Sequence, residues 1–255
     1  MGNLIKFELR KMFRQKTFYV CAGVILIVVV LNVLVQYLVE RVSNTLFGDF
    51  GGLITSSNVG SDFITMAPSM MQMIILFPIF ITLFVCNDFS EGTIKNVISR
   101  GFTRSQVYFG KFVASATAGL IYMVWSMLIG FVTGSLIWGV GDGFGIKMLG
   151  SIGILMLLTV AYVAFDCFIA FLFRKKAGSL AVGIAVSYVV QLICMITDAI
   201  LEVKEMELRI SGYTITSSIQ MVGTDGPSLS ALIVAIIYIA VFTFGGWLIF
   251  RNKEV

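Results

Sequence analysis

The chain of 255 residues has no histidine, three prolines and only 13% charged residues. Without an imidazole, Ser-His-Asp triads, HExxH zinc sites and histidine-ligated haem are excluded. Its four cysteines, Cys21, Cys86, Cys167 and Cys194, stand inside apolar runs with no CxxC spacing. They read as small buried apolar residues, with no disulfide framework and no metal site implied. The phosphate-cradling loop GxxxxGK[ST] is also missing, because the single Gly-Lys pair, Gly110-Lys111, is followed by Phe112 and lacks the upstream glycine. The glycine-rich run 139–145 follows no strand and reads as a turn. No catalytic constellation emerges, and the sequence does not read as an enzyme.

What is abundant is apolar surface: 58% of the residues are hydrophobic and the mean hydropathy is +0.97. A soluble domain carries about 25% charged residues. The expectation is therefore an all-α integral membrane protein, one transmembrane domain over 1–255. Apolar runs at 18–38, 63–86, 112–138, 149–173, 177–196 and 229–250 are each long enough to cross a hydrocarbon core of ~30 Å. All of the 18 basic residues except Arg41, Lys147, Lys204 and Arg209 fall on the segments that place both termini on one side. That asymmetry puts both termini in the cytoplasm and accounts for the net charge of +4 without a nucleic-acid partner.

Residues 1–17 precede the first run. Ile5, Leu9, Met12 and Phe13 form an apolar stripe beside Lys6, Arg10, Lys11 and Arg14, the pattern of an elbow helix lying in the membrane interface. Four amides interrupt the apolar runs: Asn32 and Gln36, four residues apart on one face, then Gln72 and Gln191. Two readings stay open for them, hydrogen bonding between helices or the lining of a substrate path. Asp166 is the one acid deep inside a run, and it reads equally as a functional carboxyl or as one paired with a polar neighbour. Pro78 sits mid-run and is expected to kink its helix. Ser126, Gly130 and Gly134 set up close helix approach. The segment 197–228 is the longest on the outer side, and alternation over 196–210 predicts short amphipathic helices dipping into the interface.

The one long polar stretch between two runs is 87–111. It is longer than a tight helix connection of about 2–8 residues and has a basic excess, so it reads as a cytoplasmic helical hairpin. Its residues Glu91-Gly92-Thr93-Ile94-Lys95, then Arg100, Thr103-Arg104 and Gly110-Lys111, resemble the first cytoplasmic loop of the type-2 export permeases of ATP-binding-cassette transporters. Gly101 stands where many relatives have proline. The resemblance extends over the whole chain, from the basic elbow through six spans.

It implies the permease subunit of an ATP-driven exporter in the bacterial plasma membrane. Such a subunit pairs with a second copy, in preference to a related chain, and docks separate ATPase subunits that hold the ATP and Mg. Carried over by motif, Glu91, Gly92 and Thr93 shape a coupling helix, while Lys95, Arg100 and Arg104 face the ATPase. The expected cargo is an amphipathic or hydrophobic peptide, antimicrobial peptide or drug. Cation efflux through Asp166, or a membrane sensor or scaffold that transports nothing, are the competing readings.

Overall fold

The computed structural model describes residues 2–47, 59–69, 73–141, 145–203 and 211–252. Ten helices hold most of them: α1 (Gly2–Arg14), α2 (Lys16–Phe47), α3 (Phe63–Ser69), α4 (Met73–Ser90), α5 (Thr93–Ser99), α6 (Arg104–Trp138), α7 (Ile146–Phe173), α8 (Lys176–Val203), α9 (Ile215–Thr224) and α10 (Leu229–Asn252). No strand occurs among the described residues. Five helices, α2, α6, α7, α8 and α10, are long and apolar enough to cross a membrane, and α4 continued by α5 across a 65° bend makes a sixth. The chain is a multi-pass, membrane-embedded helical protein.

The expected runs and the observed helices coincide in their middles and share ends at 63, 138, 173 and 229, but differ at other ends. The run 18–38 lies inside the 32-residue α2. The run 63–86 falls on α3 and α4, and Gln72 lies outside the described residues. Residues 196–203 do not start the short amphipathic helices expected over 196–210. They continue α8 to Val203, because ITDAILEV contains no glycine or proline to stop it; 204–210 lie outside the described residues. A short helix does occur later in the segment 197–228, as α9, with Ile215, Thr216, Ser218 and Val222 buried. It packs on α3, α7 and α10, and Thr65 Oγ1 of α3 donates to the Gly223 carbonyl at 3.1 Å.

At the centre is α7, along which α10 packs most extensively and which also touches α4, α6, α8 and α9. Small residues bring the neighbours close. A Cβ on Gly130 of α6 would lie 2.5 Å from Ala67 Cβ and 2.7 Å from the Phe63 carbonyl oxygen, both on α3. The small-residue row expected to permit close approach thus receives α3. Pro78 is buried inside α4, and its ring faces Gly183 of α8. Leu, Ile and Val side chains on the outward faces of α2, α8 and α10 are exposed, which a bilayer satisfies because the interior backbone groups of a helix are paired within it.

Candidate functional site

The polar segment begins inside the last turn of α4, which runs on to Ser90. Gly92 takes φ +65°, a left-handed conformation that a Cβ disfavours, and its carbonyl accepts from the Lys95 and Asn96 amides. This turns the chain through the 65° bend into α5. Thr93 Oγ1 donates back to the Asp88 carbonyl at 3.2 Å, tying the turn to α4. Gly101, at φ +92°, reverses the chain after α5; glycine suits this turn because the conformation is closed to proline. Thr103 then caps α6: its hydroxyl accepts from the Gln106 amide while Gln106 Oε1 accepts from the Thr103 amide at 3.1 Å. The hairpin is therefore built of a helix stop, a helix of about two turns and a helix start, each fixed locally.

Its two faces differ. Ile94 is 2% exposed and anchors the hairpin in the apolar core, with Val97, Ile98 and Phe102 packed beside it. Glu91, Lys95 and Arg100 are exposed. Arg104 is only half exposed, and its Nη1 donates to the Arg251 carbonyl at the end of α10 at 3.4 Å. Nearby, Arg174 at the α7–α8 turn lays its guanidinium 5.5 Å over Phe89. Partial burial, and then the positive charge of Arg104, pull the Arg174 pKa below its usual value. Of the six residues expected to couple, then, Glu91, Lys95 and Arg100 present charge, Gly92 and Thr93 set geometry, and Arg104 is shared with the chain's own packing.

Beneath the hairpin lies a cluster that the sequence reading did not assemble. Lys111 of α6 is 1% exposed, and Glu8 of α1 and Asp88 of α4 are each 3% exposed. Lys111 Nζ donates to Glu8 Oε2 at 2.9 Å and also bonds Asp88, whose carboxylate takes a further ion pair from Lys11 of α1. Lys111 Nζ also lies 4.3 Å over the Phe84 ring. Two cations and two anions from three helices thus balance at the root of the hairpin. Ionised groups this deep are tolerated only when paired and hydrogen-bonded, as these are.

The cluster also reorients α1. Its buried stripe is Leu4, Glu8 and Met12, spaced four apart against α6, whereas the expected stripe was Ile5, Leu9, Met12 and Phe13. Phe13 is 43% exposed. The expected stripe was read as facing the membrane; the side that meets the protein shares Met12 with it and is centred on a charged residue, Glu8, which an apolar pattern does not mark. Gly110 of α6 faces this stripe, and a Cβ there would lie in ordinary contact with Leu4 at 3.5 Å. The available signal was Glu8 itself, the sole acid of a basic helix, four residues from both Leu4 and Met12.

Residues 25–255 match the family described as a protein of unknown function, DUF2705. The chain belongs to the DUF2705 family. Of the cluster, Asp88 and Lys111 fall in the part of this DUF2705 chain that matches, and α1 precedes it. No curated protein matches the chain.

The remaining candidates of the DUF2705 chain are dispersed. Asn32 Nδ2 donates to the Val28 carbonyl of its own helix at 2.9 Å. Gln36 is half-buried on α2, and Gln191 on α8 has an Oε1 with no hydrogen-bond partner among the described residues. Asp166 is 2% exposed, and neither carboxyl oxygen has a hydrogen-bond partner among the described residues. Around it, Thr82 meets Ser179 at 3.2 Å and Tyr162 meets Ser187 at 3.1 Å, so the neighbouring hydroxyls bond one another instead. No group of three or more metal-ligating residues occurs among the described residues.

Proposed function

We propose that this chain is the permease subunit of a type-2 ATP-binding-cassette exporter, and that the hairpin 91–103 is its coupling element. The observation that carries the reading is the hairpin's construction: an exposed charged face on a short helix, hung at 65° from one membrane helix and capped directly onto another. Such a part turns a push from a soluble partner into movement of α4 and α6. The basic excess of the hairpin supports a cytoplasmic position for it. ATP and Mg are held by the partner ATPase, and this chain contributes no hydrolytic residue. Charged groups at the exposed tip set docking specificity more than raw affinity.

The subunit works with a second copy of itself, and nucleotide binding by the paired ATPases shifts the population between two packings of the helices. The apolar membrane interior suits an amphipathic or hydrophobic cargo, a peptide or drug, carried outward across the bacterial plasma membrane. The test is co-expression with a cassette ATPase from the same operon, followed by affinity purification. Retention of the ATPase is expected, falling at least about tenfold when Glu91→Lys and Lys95→Glu reverse the tip charges. An intact permease that never retains the ATPase overturns the reading.

A second reading, cation efflux, is favoured by one observation: Asp166 is buried with no hydrogen-bond partner among the described residues. Export of a peptide that is unchanged by Asp166→Asn excludes it.

A further inference from the structure

Between α2 and α6 the surface is cut by an open groove of about 510 Å³, lined by Phe18, Tyr19, Ala22, Thr117, Trp125 and Leu128 among others. Its polar atoms are turned inward. The Tyr122 hydroxyl donates to the Phe18 carbonyl at 3.0 Å, Trp125 Nε1 to the Ala22 carbonyl at 3.2 Å, and Thr117 Oγ1 to the Val113 carbonyl at 2.8 Å. The lining therefore offers an occupant apolar contact only. From Thr117 to Leu128 the groove follows α6 for about 16 Å, which matches the ~15 Å of hydrocarbon in one leaflet.

One end of this dry groove is strongly basic. Phe18 stands two residues after Lys16, and the exposed Phe13 ring meets Phe18 edge-on at 5.4 Å, joining the exposed face of α1 to the groove's rim. That face carries Lys6, Arg10 and Arg14, all exposed, with Lys16 following. The one acid of α1, Glu8, is buried against Lys111. An occupant thus needs a single long apolar tail and an anionic head. A second copy related by a twofold axis fits poorly, because it would set one basic rim against another.

We propose that the α2–α6 groove is a binding site for an anionic phospholipid of the leaflet beside the hairpin, its acyl chain along Trp125 and its phosphate against Arg14 and Lys16. The assignment rests on the chain being membrane-embedded and is independent of any ATPase partner. Charge-assisted contacts from Arg14 and Lys16 fix the headgroup, and tail burial adds the apolar part.

Trp125 is the built-in reporter. A Trp138→Phe/Trp247→Phe protein is reconstituted in phosphatidylcholine vesicles with a small, fixed fraction of dibrominated lipid, either phosphatidylglycerol or phosphatidylcholine. Brominated phosphatidylglycerol is expected to quench Trp125 at least threefold more, and Arg14→Gln/Lys16→Gln to erase the difference. Equal quenching by the two lipids means ordinary annular lipid only and overturns the proposal. So does a preference that survives the double variant, or a Trp125 that neither lipid reaches because a second copy or cargo fills the groove. If the double-phenylalanine protein fails to fold, native mass spectrometry of the wild type with the same unbrominated lipids decides. Preferential retention of one phosphatidylglycerol supports the site, and equal retention of both lipids overturns it.

Discussion

At Lys111 a single ammonium serves two carboxylates that arrive on two other helices, Glu8 on α1 and Asp88 on α4. Removing it strands Glu8 and leaves Asp88 with Lys11 alone. Lys111→Met is expected to destabilise the protein by about 3–5 kcal/mol, because breaking one side of a buried ion pair leaves uncompensated charge. Glu8→Gln/Lys111→Met removes one charge of each sign and leaves Asp88 with Lys11, so most of that loss should be restored. Thermal unfolding in detergent of the two variants beside the wild type measures the difference; equal losses would show that packing and not charge matters. Asp166→Asn is the opposite case. It keeps the shape, breaks no ion pair among the described residues, and should change the unfolding temperature little. At this scale the sequence was only half legible. Glu91, Lys95 and Arg100 are exposed on the hairpin as read, but burial of Glu8 depends on which side of α1 meets α6. A hydrophobic stripe cannot show that when the deciding residue is an acid with a partner 103 positions away.

Among the elements, the hairpin depends on two left-handed glycines and one capping threonine. Gly92→Val should cost about 1–2 kcal/mol locally, since a Cβ at positive φ meets the following carbonyl. The variant is expected to reach the membrane in normal amount yet retain less ATPase partner, read by immunoblot of the purified complex. Unchanged retention would mean the turn is not part of docking. On α6, Gly130→Ile would force a side chain into space held by Ala67 and the Phe63 backbone. It should displace α3 and lower the yield of monodisperse protein on size exclusion, whereas Gly153→Ala, where nothing lies within 4 Å of a built Cβ, should not. Helices were legible because long apolar runs leave few alternatives in a membrane. Only some of their ends were. The segment 196–203 reads as an amphipathic start when viewed alone, yet it lacks any breaker, so α8 simply continues. The short helix α9 is instead held by tertiary contacts to α3 and α7, which no local pattern encodes.

For the whole molecule, the basic residues and the positions of the long helices make one orientation the natural expectation. In a cysteine-free background, Ser99→Cys on the hairpin and Val140→Cys after α6 should react with a membrane-impermeant maleimide from opposite sides, Ser99→Cys from the cytoplasm alone. Labelling of Ser99→Cys on intact cells would invert the topology and end the coupling proposal. The all-helical architecture was legible as a whole from composition, because little else can be built from 58% hydrophobic residues with so few charges.

A last consequence belongs to α6, whose 35 residues run unbroken from the Thr103 cap to Trp138. At ~1.5 Å per residue it is a rod of about 52 Å. A tilt of about 5° at its foot would sweep the far tip sideways by about 4–5 Å. At that tip the Trp138 indole is fastened to Glu40 of α2 at 2.6 Å. So short a tether cannot stretch that far: under such a tilt either it lets go, or α2 is dragged along as a passenger.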